Sequence, residues 1–291
     1  MSAAHRVLVP ELDQLTDGHF AAIAAEVESR SGIKLSKGKR IMVEGRLRKR
    51  VRALGLSGLQ EYGAFLMERG GLAEEIEEVI DCVTTNKTDF FREPAHFKFM
   101  RDVAVAELAR RHSTARPSLK IWSAAASTGA EAYTAAMVLQ TLVDEGKIQQ
   151  YSILGTDIST EVLREAEDAV YSCEFTQPVP AELRQRYLLQ SKDPSQKVVR
   201  IAPELRSRVS FQQLNLMDPV YPFDRDIDII FCRNVLIYFE KPIQSMVVDR
   251  LAGHLRPGGF LILGHAESMA GGSAANLKQI RPTVFQRTKT L

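Results

Sequence analysis

The sequence predicts an α/β protein, with a mainly parallel sheet domain that carries a small β insertion and follows a small all-helical domain. A change of texture along the chain is the first reason. Up to about residue 85 apolar side chains recur at helical spacing, whereas from about residue 118 short apolar runs alternate with helical stretches, as βαβ units do. Length is the second: 291 residues accommodate one large domain and one small one. Composition is the third, since 45% hydrophobic and 25% charged residues match an ordinary globular chain and not a disordered one. The expected division is a helical domain over residues 1–85, a linker with a helix over 86–117, and the sheet domain over 118–291, with a β subdomain at about 172–214.

In the first part, Phe20, Ile23, Ala24 and Val27 fall at i, i+3, i+4 and i+7, with Thr16 as N-cap and Gly32 just past the end. Val43, Leu47, Val51 and Leu54 make a second stripe that ends at Gly55. Ser57 is expected to cap a third helix carrying Leu59, Tyr62, Phe65 and Leu66 before Gly70 and Gly71, and Ile76, Val79, Ile80 and Val83 mark a fourth. A linker helix is expected within residues 92–116. Strands are expected at 120–123, 152–156, 227–231 and 260–263, and helices at 130–143, 161–169 and 242–255. Between residues 171 and 216 the alternation breaks. Residues 197–201 and 208–212 read there as short strands of the β insertion, beside a polar turn at 191–195.

Several function classes fall away on composition. Thirty-eight Lys and Arg against thirty-six Asp and Glu give a formal charge of +2, so the chain is no polycation built to coat nucleic acid. Its three cysteines, Cys82, Cys173 and Cys232, form no CxxC pair and supply neither a disulfide framework nor a zinc ligand set, which makes a reducing cytoplasm the default. Residues 1–14 include Pro10, Glu11 and Asp13 and no apolar core segment, so no secretory signal is expected. The weakly charged stretch 121–143 is diluted by Ser123, Ser127, Thr128, Gly129, Glu131, Thr134 and Gln140, and no membrane span is expected.

Chemistry concentrates at two strand ends. Residues 121–131 run from an apolar strand through small residues into a helix, which lets a ligand approach the backbone at the strand's carboxyl end. The stretch is no GxGxxG fingerprint and lacks the GK[ST] ending of a P-loop, which disfavours nucleoside triphosphate chemistry. Asp157 ends the next apolar run, where a carboxylate can accept hydrogen bonds from both hydroxyls of a ribose. The plainer alternatives are a turn needed only for close helix–strand packing and an ordinary helix N-cap, a job for which Ser159 competes.

A wider pattern joins these ends. Thr85, Asn86, Thr88, Phe90, Phe91 and Arg92, then Trp122 to Gly129, Asp157 with Ile158, Asn215 with Leu216, and Phe231 to Phe239 resemble, in order and spacing, the CheR family of chemotaxis receptor methyltransferases. The resemblance runs from about Thr16 to about Phe285. It implies a Rossmann-like class I methyltransferase domain with a small β insertion, preceded by a small all-helical domain, using S-adenosylmethionine, releasing S-adenosylhomocysteine and needing no metal. It implies that Asn86, Thr88 and Arg92 contact the cofactor, that Glu131 and Asp157 hold its amino acid or ribose portions, and that Asn215 and Leu216 frame the adenine. Asn234 and Val235 would line the strand end beside the methyl group. Arg92 and Tyr238 are the candidates for orienting the acceptor, a glutamate side chain of a chemoreceptor. The plainer readings make Asn86 and Thr88 turn residues, Phe90 and Phe91 core, Tyr238 an ordinary buried tyrosine and Cys232 a packed thiol.

Two positions depart from the family pattern. Ala130 and Ala132 stand where relatives often carry Glu and Pro, and Ser191, Lys192 and Asp193 replace the glycine-rich turn of members that dock a receptor's C-terminal tether, so tethering is not expected. Residues 37–52 carry a net +7, which leaves −5 for the rest of the chain. On a helical wheel Lys39, Arg46, Lys49 and Arg50 lie away from Val43, Leu47, Val51 and Leu54, an arrangement expected to dock the acidic cytoplasmic methylation helices of chemoreceptors. The expected protein is a cytoplasmic monomer with no membrane insertion and no stable nucleic-acid binding. Two rivals stay open: a nucleic-acid methyltransferase, which the basic helix suggests but no Asn-Pro-Pro-Tyr motif supports, and a non-catalytic S-adenosylmethionine sensor.

Overall fold

The computed structural model describes residues 13–193, 195–267 and 276–288. The reading of residues 1–14 as lacking a secretory core falls almost wholly outside them. Two compact units divide the chain, Met1–Thr84 and Thr85–Leu291.

The first unit is helical: α1 (Asp17–Ser31), a 3₁₀ turn (Lys37–Lys39) running into α2 (Arg40–Ala53), α3 (Leu59–Glu68) and α4 (Leu72–Val83). Thr16 caps α1 by accepting from the His19 amide, and Gly32, at φ 73°, ends it with its N–H on the Glu28 carbonyl. The stripes meet as their spacing requires, with Ile23, Val27, Val43, Leu47, Leu59, Tyr62 and Val79 buried. Leu54 departs from this pattern at 38% exposure, because α2 has already ended at Ala53 and the chain turns at Gly55, φ 66°. Ser57 is not the N-cap of α3 either. Gly58 holds that position, while the Ser57 amide and hydroxyl both donate to Glu61.

The second unit opens with α5 (Pro94–Phe99), which continues through a π turn (Met100–Ala104) into α6 (Val105–Arg111). Phe97, Phe99, Met100, Ala104, Val105 and Leu108 are buried in the same core as the sheet, so this helix is an integral layer of the unit and not a free linker. The strands are β1 (Ser118–Ala124), β2 (Gln150–Asp157), β3 (Val170–Ser172), β4 (Leu188–Gln190), β5 (Val198–Ile201), β6 (Val209–Gln213), β7 (Ile227–Cys232), β8 (Leu255–Leu263), β9 (Leu277–Arg281) and β10 (Val284–Arg287). Between them lie α7 (Ala130–Asp144), α8 (Thr160–Asp168), α9 (Ala181–Tyr187), α10 (Pro203–Arg206) and α11 (Lys241–His254). The large sheet runs β6-β2-β1-β7-β8-β10-β9, parallel from β6 to β8 and antiparallel at β10 and β9.

One assignment changes. Residues 208–212 do not belong to the insertion, because β6 pairs in parallel with β2 from Ile153↔Val209 to Asp157↔Gln213 and forms the edge of the large sheet. Gly155 makes room for it, since a Cβ there would lie 2.5 Å from the Phe211 ring. The insertion's own sheet is β3-β5-β4, antiparallel throughout. The chain leaves β1 toward β2 and β6 on one side and returns to β7 and β8 on the other. The carboxyl ends of β1 and β7 therefore flank the switch point where open α/β sheets form their ligand crevice. No described helix is long and apolar enough to cross a membrane.

Candidate active site at the carboxyl ends of the strands

The loop after β1 is held in an unusual backbone. Ala125, Ser127 and Gly129 all have left-handed φ, at 61°, 51° and 82°. Such residues persist where their surroundings over-determine them, and here β2 does so. The Ala126 amide donates to the Thr156 carbonyl at 2.8 Å and the Ser127 amide to Asp157 Oδ2 at 2.9 Å. The other oxygen of Asp157 accepts from the Ser159 amide at 3.0 Å, and Ser159 caps α8. Asp157, 7% exposed, is thus no helix cap. A carboxylate is an acceptor only, so at this strand end it is the kind of group that a ligand hydroxyl would meet.

Glu131, in the first turn of α7, is the second acid. Its Oε1 accepts from the Ser123 hydroxyl at 2.7 Å and its Oε2 from Arg233 Nη1 at 2.9 Å. The other terminal nitrogen of Arg233 donates to the Arg92 carbonyl and faces Glu93 Oε2 at 3.2 Å, and the guanidinium lies 5.4 Å from the Phe97 ring centre. Burial pushes the Glu131 carboxyl up, against the opposing pull of Arg233 and Ser123. For Glu93 burial works in the same sense, but Arg233, the His265 amide and Asn234 together bring it below the ordinary carboxylate value.

Some of the segments singled out from sequence reach these two acids, through Asn86, Leu214 and Arg233. The Asn86 carbonyl accepts from the Ser127 hydroxyl at 2.8 Å, which brings the 86–93 segment to the β1 loop, and Thr88 is half-buried beside it in sequence. The Arg92 side chain turns back to the Lys87 carbonyl at 3.0 Å. Leu214 N donates to the Asp157 carbonyl at 2.9 Å, so Asn215 and Leu216, which follow β6, leave the sheet beside the end of β2. Asn215 Oδ1 accepts from the Met217 amide, and the Leu216 carbonyl accepts from the buried Tyr221 hydroxyl at 2.8 Å. Asn234 has φ 62° and Val235 leads the short 3₁₀ turn Leu236–Tyr238, where Tyr238 is half-buried. Phe90 is core, edge-on to Tyr171 at 5.1 Å between ring centres. Cys232 is fully buried and its thiol is pushed well up by desolvation.

Three residues of the site carried no assignment from sequence: Glu93, Arg233 and Glu267. Arg233 stands inside the quoted Phe231–Phe239 motif, and a charged residue directly after an all-apolar strand is the signal that could have found it. Glu267 has no local signal. It is buried and accepts from the amides of Asn234 at 2.9 Å, Leu236 at 2.7 Å and Gly264 at 2.6 Å, which fixes the loop after β7. Glu93, His96 and His265 place one ligand atom each within 4.8 Å of one another. Glu93 is nonetheless committed to the Arg233 guanidinium and the His265 amide, so a cation there would sit against a guanidinium.

Of the four basic residues of the first unit proposed to dock a partner, two are spent inside it. Arg46 Nη1 donates to the Val83 and Thr84 carbonyls at 2.9 and 2.6 Å, closing the end of α4. Arg50 binds buried Glu75 through two nitrogens, at 2.9 and 2.8 Å, and Glu78 at 3.1 Å. A helical wheel of α2 cannot show that α4 supplies these acceptors, and the expectation that both arginines face a partner is corrected. Lys49 is exposed and Lys39 half-exposed.

The donor set fits the implied cofactor: one buried carboxylate at the end of β2 for a diol, a second beside β1 for an ammonium group, and a strained loop between them. Comparison with known proteins agrees. The family model described as CheR methyltransferase, SAM binding domain, matches residues 86–285, and the one described as CheR methyltransferase, all-alpha domain, matches residues 18–84. A chemotaxis protein methyltransferase of Klebsiella aerogenes is 38% identical over 95% of this chain and 89% of its own length. One from Borreliella burgdorferi is 34% identical over 94% and 95%, and one from Escherichia coli 37% over 88% and 86%. The chain belongs to the CheR family of S-adenosylmethionine-dependent methyltransferases.

Proposed function

We propose that the protein methylates glutamate side chains of chemoreceptors, forming γ-methyl esters in chemosensory adaptation. The observation that carries this is the placing of Asp157 at the carboxyl end of β2 and of Glu131 in the first turn of α7, bonded to Ser123 of the adjacent β1, in a family whose named relatives are chemotaxis methyltransferases. When bound, S-adenosylmethionine supplies an electrophilic methyl group on a sulfonium. Asp157 takes the ribose hydroxyls and Glu131 the amino group, Asn215 and Leu216 frame the adenine, and Asn86, Thr88, Arg92, Asn234 and Val235 complete the walls. A glutamate with an unperturbed pKa of about 4.3 is already ionised at neutral pH, so the acceptor needs no general base. The protein's remaining task is placement in line at roughly 3 to 3.5 Å and removal of water from the carboxylate, with Arg92 and Tyr238 orienting it. The buried Cys232 thiol, with its raised pKa, is no rival nucleophile.

The test is incubation with methyl-labelled cofactor and receptor-bearing membranes, followed by alkali and capture of volatile methanol. Carboxyl esters release labelled methanol. Label retained on nucleic acid through alkali points to the first rival, and no incorporation points to the sensor.

A further inference from the structure

We infer that Arg233 is a positioning residue: its buried guanidinium sets the Glu131 carboxylate for the cofactor's amino group and ties that carboxylate to residues 86–93. The inference rests on the reading of Glu131 as the acid that meets this group.

The geometry is a shared cation. Arg233 is 7% exposed, and its two terminal nitrogens divide their work between the two parts of the site. Nη1 goes to Glu131 on α7, and Nη2 to Glu93 and the Arg92 carbonyl. Phe97 of α5 lies against the guanidinium. Among the described residues its Nε has no hydrogen-bond partner, so Nη1 and Nη2 carry the hydrogen bonds of this guanidinium. Lysine could not span both acids, because an ammonium is a point charge and not a fork.

Charge balance gives the cluster a direction. Two carboxylates, Glu131 and Glu93, share one guanidinium, and Glu267, the third buried acid of the site, is held by three amides and brings no cation, so negative charge outweighs positive in a buried place. The other groups facing it do not supply the missing cation. Ser123 of β1 is neutral, and the Cys232 thiol is held in its protonated form by burial. His96, buried and next to Glu93, titrates only near about 4, and the His265 side chain is largely exposed with its ring 4.0 Å from Glu93. A cofactor carrying an ammonium group completes the set, and one lacking it does not. Burial and Glu93 both push the Glu131 carboxyl up while Arg233 pulls it down, so losing Arg233 moves Glu131 further toward its protonated form.

The test compares binding of S-adenosylhomocysteine with that of 5′-methylthioadenosine, which lacks the amino acid portion, between pH 6 and 8. Arg233→Met is expected to weaken S-adenosylhomocysteine about tenfold or more at pH 6, with recovery toward pH 8, and to leave 5′-methylthioadenosine unchanged. Arg233→Lys should lie between this variant and wild type, and it serves alone if Arg233→Met does not fold. Equal weakening of both ligands at every pH in the variants measured, or no weakening of either, overturns the inference. Glu131→Gln separates the two readings: if it binds S-adenosylhomocysteine as wild type does, the assignment of Glu131 itself fails, whatever Arg233 does.

Discussion

Asp157 performs two jobs with one carboxylate. It fixes the Ser127 and Ser159 amides, and in the function proposed above it also takes the ribose hydroxyls. Loss of charge-assisted hydrogen bonds costs about 1.5 to 3 kcal/mol, so Asp157→Ala should lower S-adenosylhomocysteine affinity roughly ten- to a hundredfold by titration calorimetry. Unchanged affinity in a folded variant removes Asp157 from the site. His96 shows the opposite economy, a polar group kept neutral. It is 3% exposed, bonded to Thr283 through Nε2, and desolvation with help from Arg233 lowers its pKa to about 4. Unfolded histidine titrates near 6.5, so below that value the unfolded chain binds a proton that the fold refuses. The stabilisation is whole above pH 6.5 and is lost as the pH falls toward 4, on the order of 3 kcal/mol. His96→Gln should flatten the melting temperature against pH in that window, and a profile as steep as wild type would show that other groups set the acid limit.

At the scale of elements, the loop after β1 depends on Gly129. Its φ is 82°, and a Cβ there would lie 2.9 Å from the Ala166 methyl and 3.0 Å from the Phe211 ring, where α8 and β6 close over the loop. Gly129→Ala should therefore destabilise the second unit by about 1 to 3 kcal/mol and weaken cofactor binding with it, measured by thermal unfolding and calorimetry. A melting temperature equal to wild type would mean that the loop relaxes freely. What the sequence reveals follows from this same local logic. The helices of the first unit are legible because each buries one stripe, and β1, β2, β7 and β8 because each contains a short apolar run. Strand β6 is legible as a strand but misplaced, because Val209–Gln213 buries no side chain fully and its parallel pairing with β2 is a tertiary contact that a local pattern does not announce. The β9–β10 hairpin goes unread for a similar reason, since Leu277, Val284 and Phe285 are its only buried residues among nine. Asp157 is singled out by its strand end, whereas Glu131 enters through the family resemblance. Glu93, Arg233 and Glu267 act on partners distant in sequence, and periodicity carries no information about such pairs.

At the scale of the whole molecule, the concentration of positive charge in residues 37–52 has two origins. Part of it is internal stitching: Arg40 binds Asp17 and Glu44, Arg48 binds Asp13, and Arg46 and Arg50 bind the end of α4, Glu75 and Glu78. These pairs neutralise themselves locally and contribute little to a distant field. Lys37, Lys49 and Arg52 are exposed, and Lys39 is half-exposed with its ammonium 3.3 Å from the Lys34 carbonyl; we propose that the steering of an acidic receptor helix falls to these residues. The two groups respond differently to charge reversal. Arg50→Glu sets a third carboxylate against Glu75 and Glu78 and should lower the melting temperature of the helical unit, because removing one partner strands a buried charge. Lys39→Glu with Lys49→Glu should leave that temperature and S-adenosylhomocysteine affinity near wild type, yet slow receptor methylation at low salt. Since the Debye length shrinks to about 8 Å at physiological ionic strength, added salt should slow the wild type more than the double variant, until their rates converge. If the double variant methylates receptor at the wild-type rate in low salt, docking by this face is wrong, and if wild type retains a random DNA or RNA duplex at physiological salt, the face belongs to nucleic acid instead.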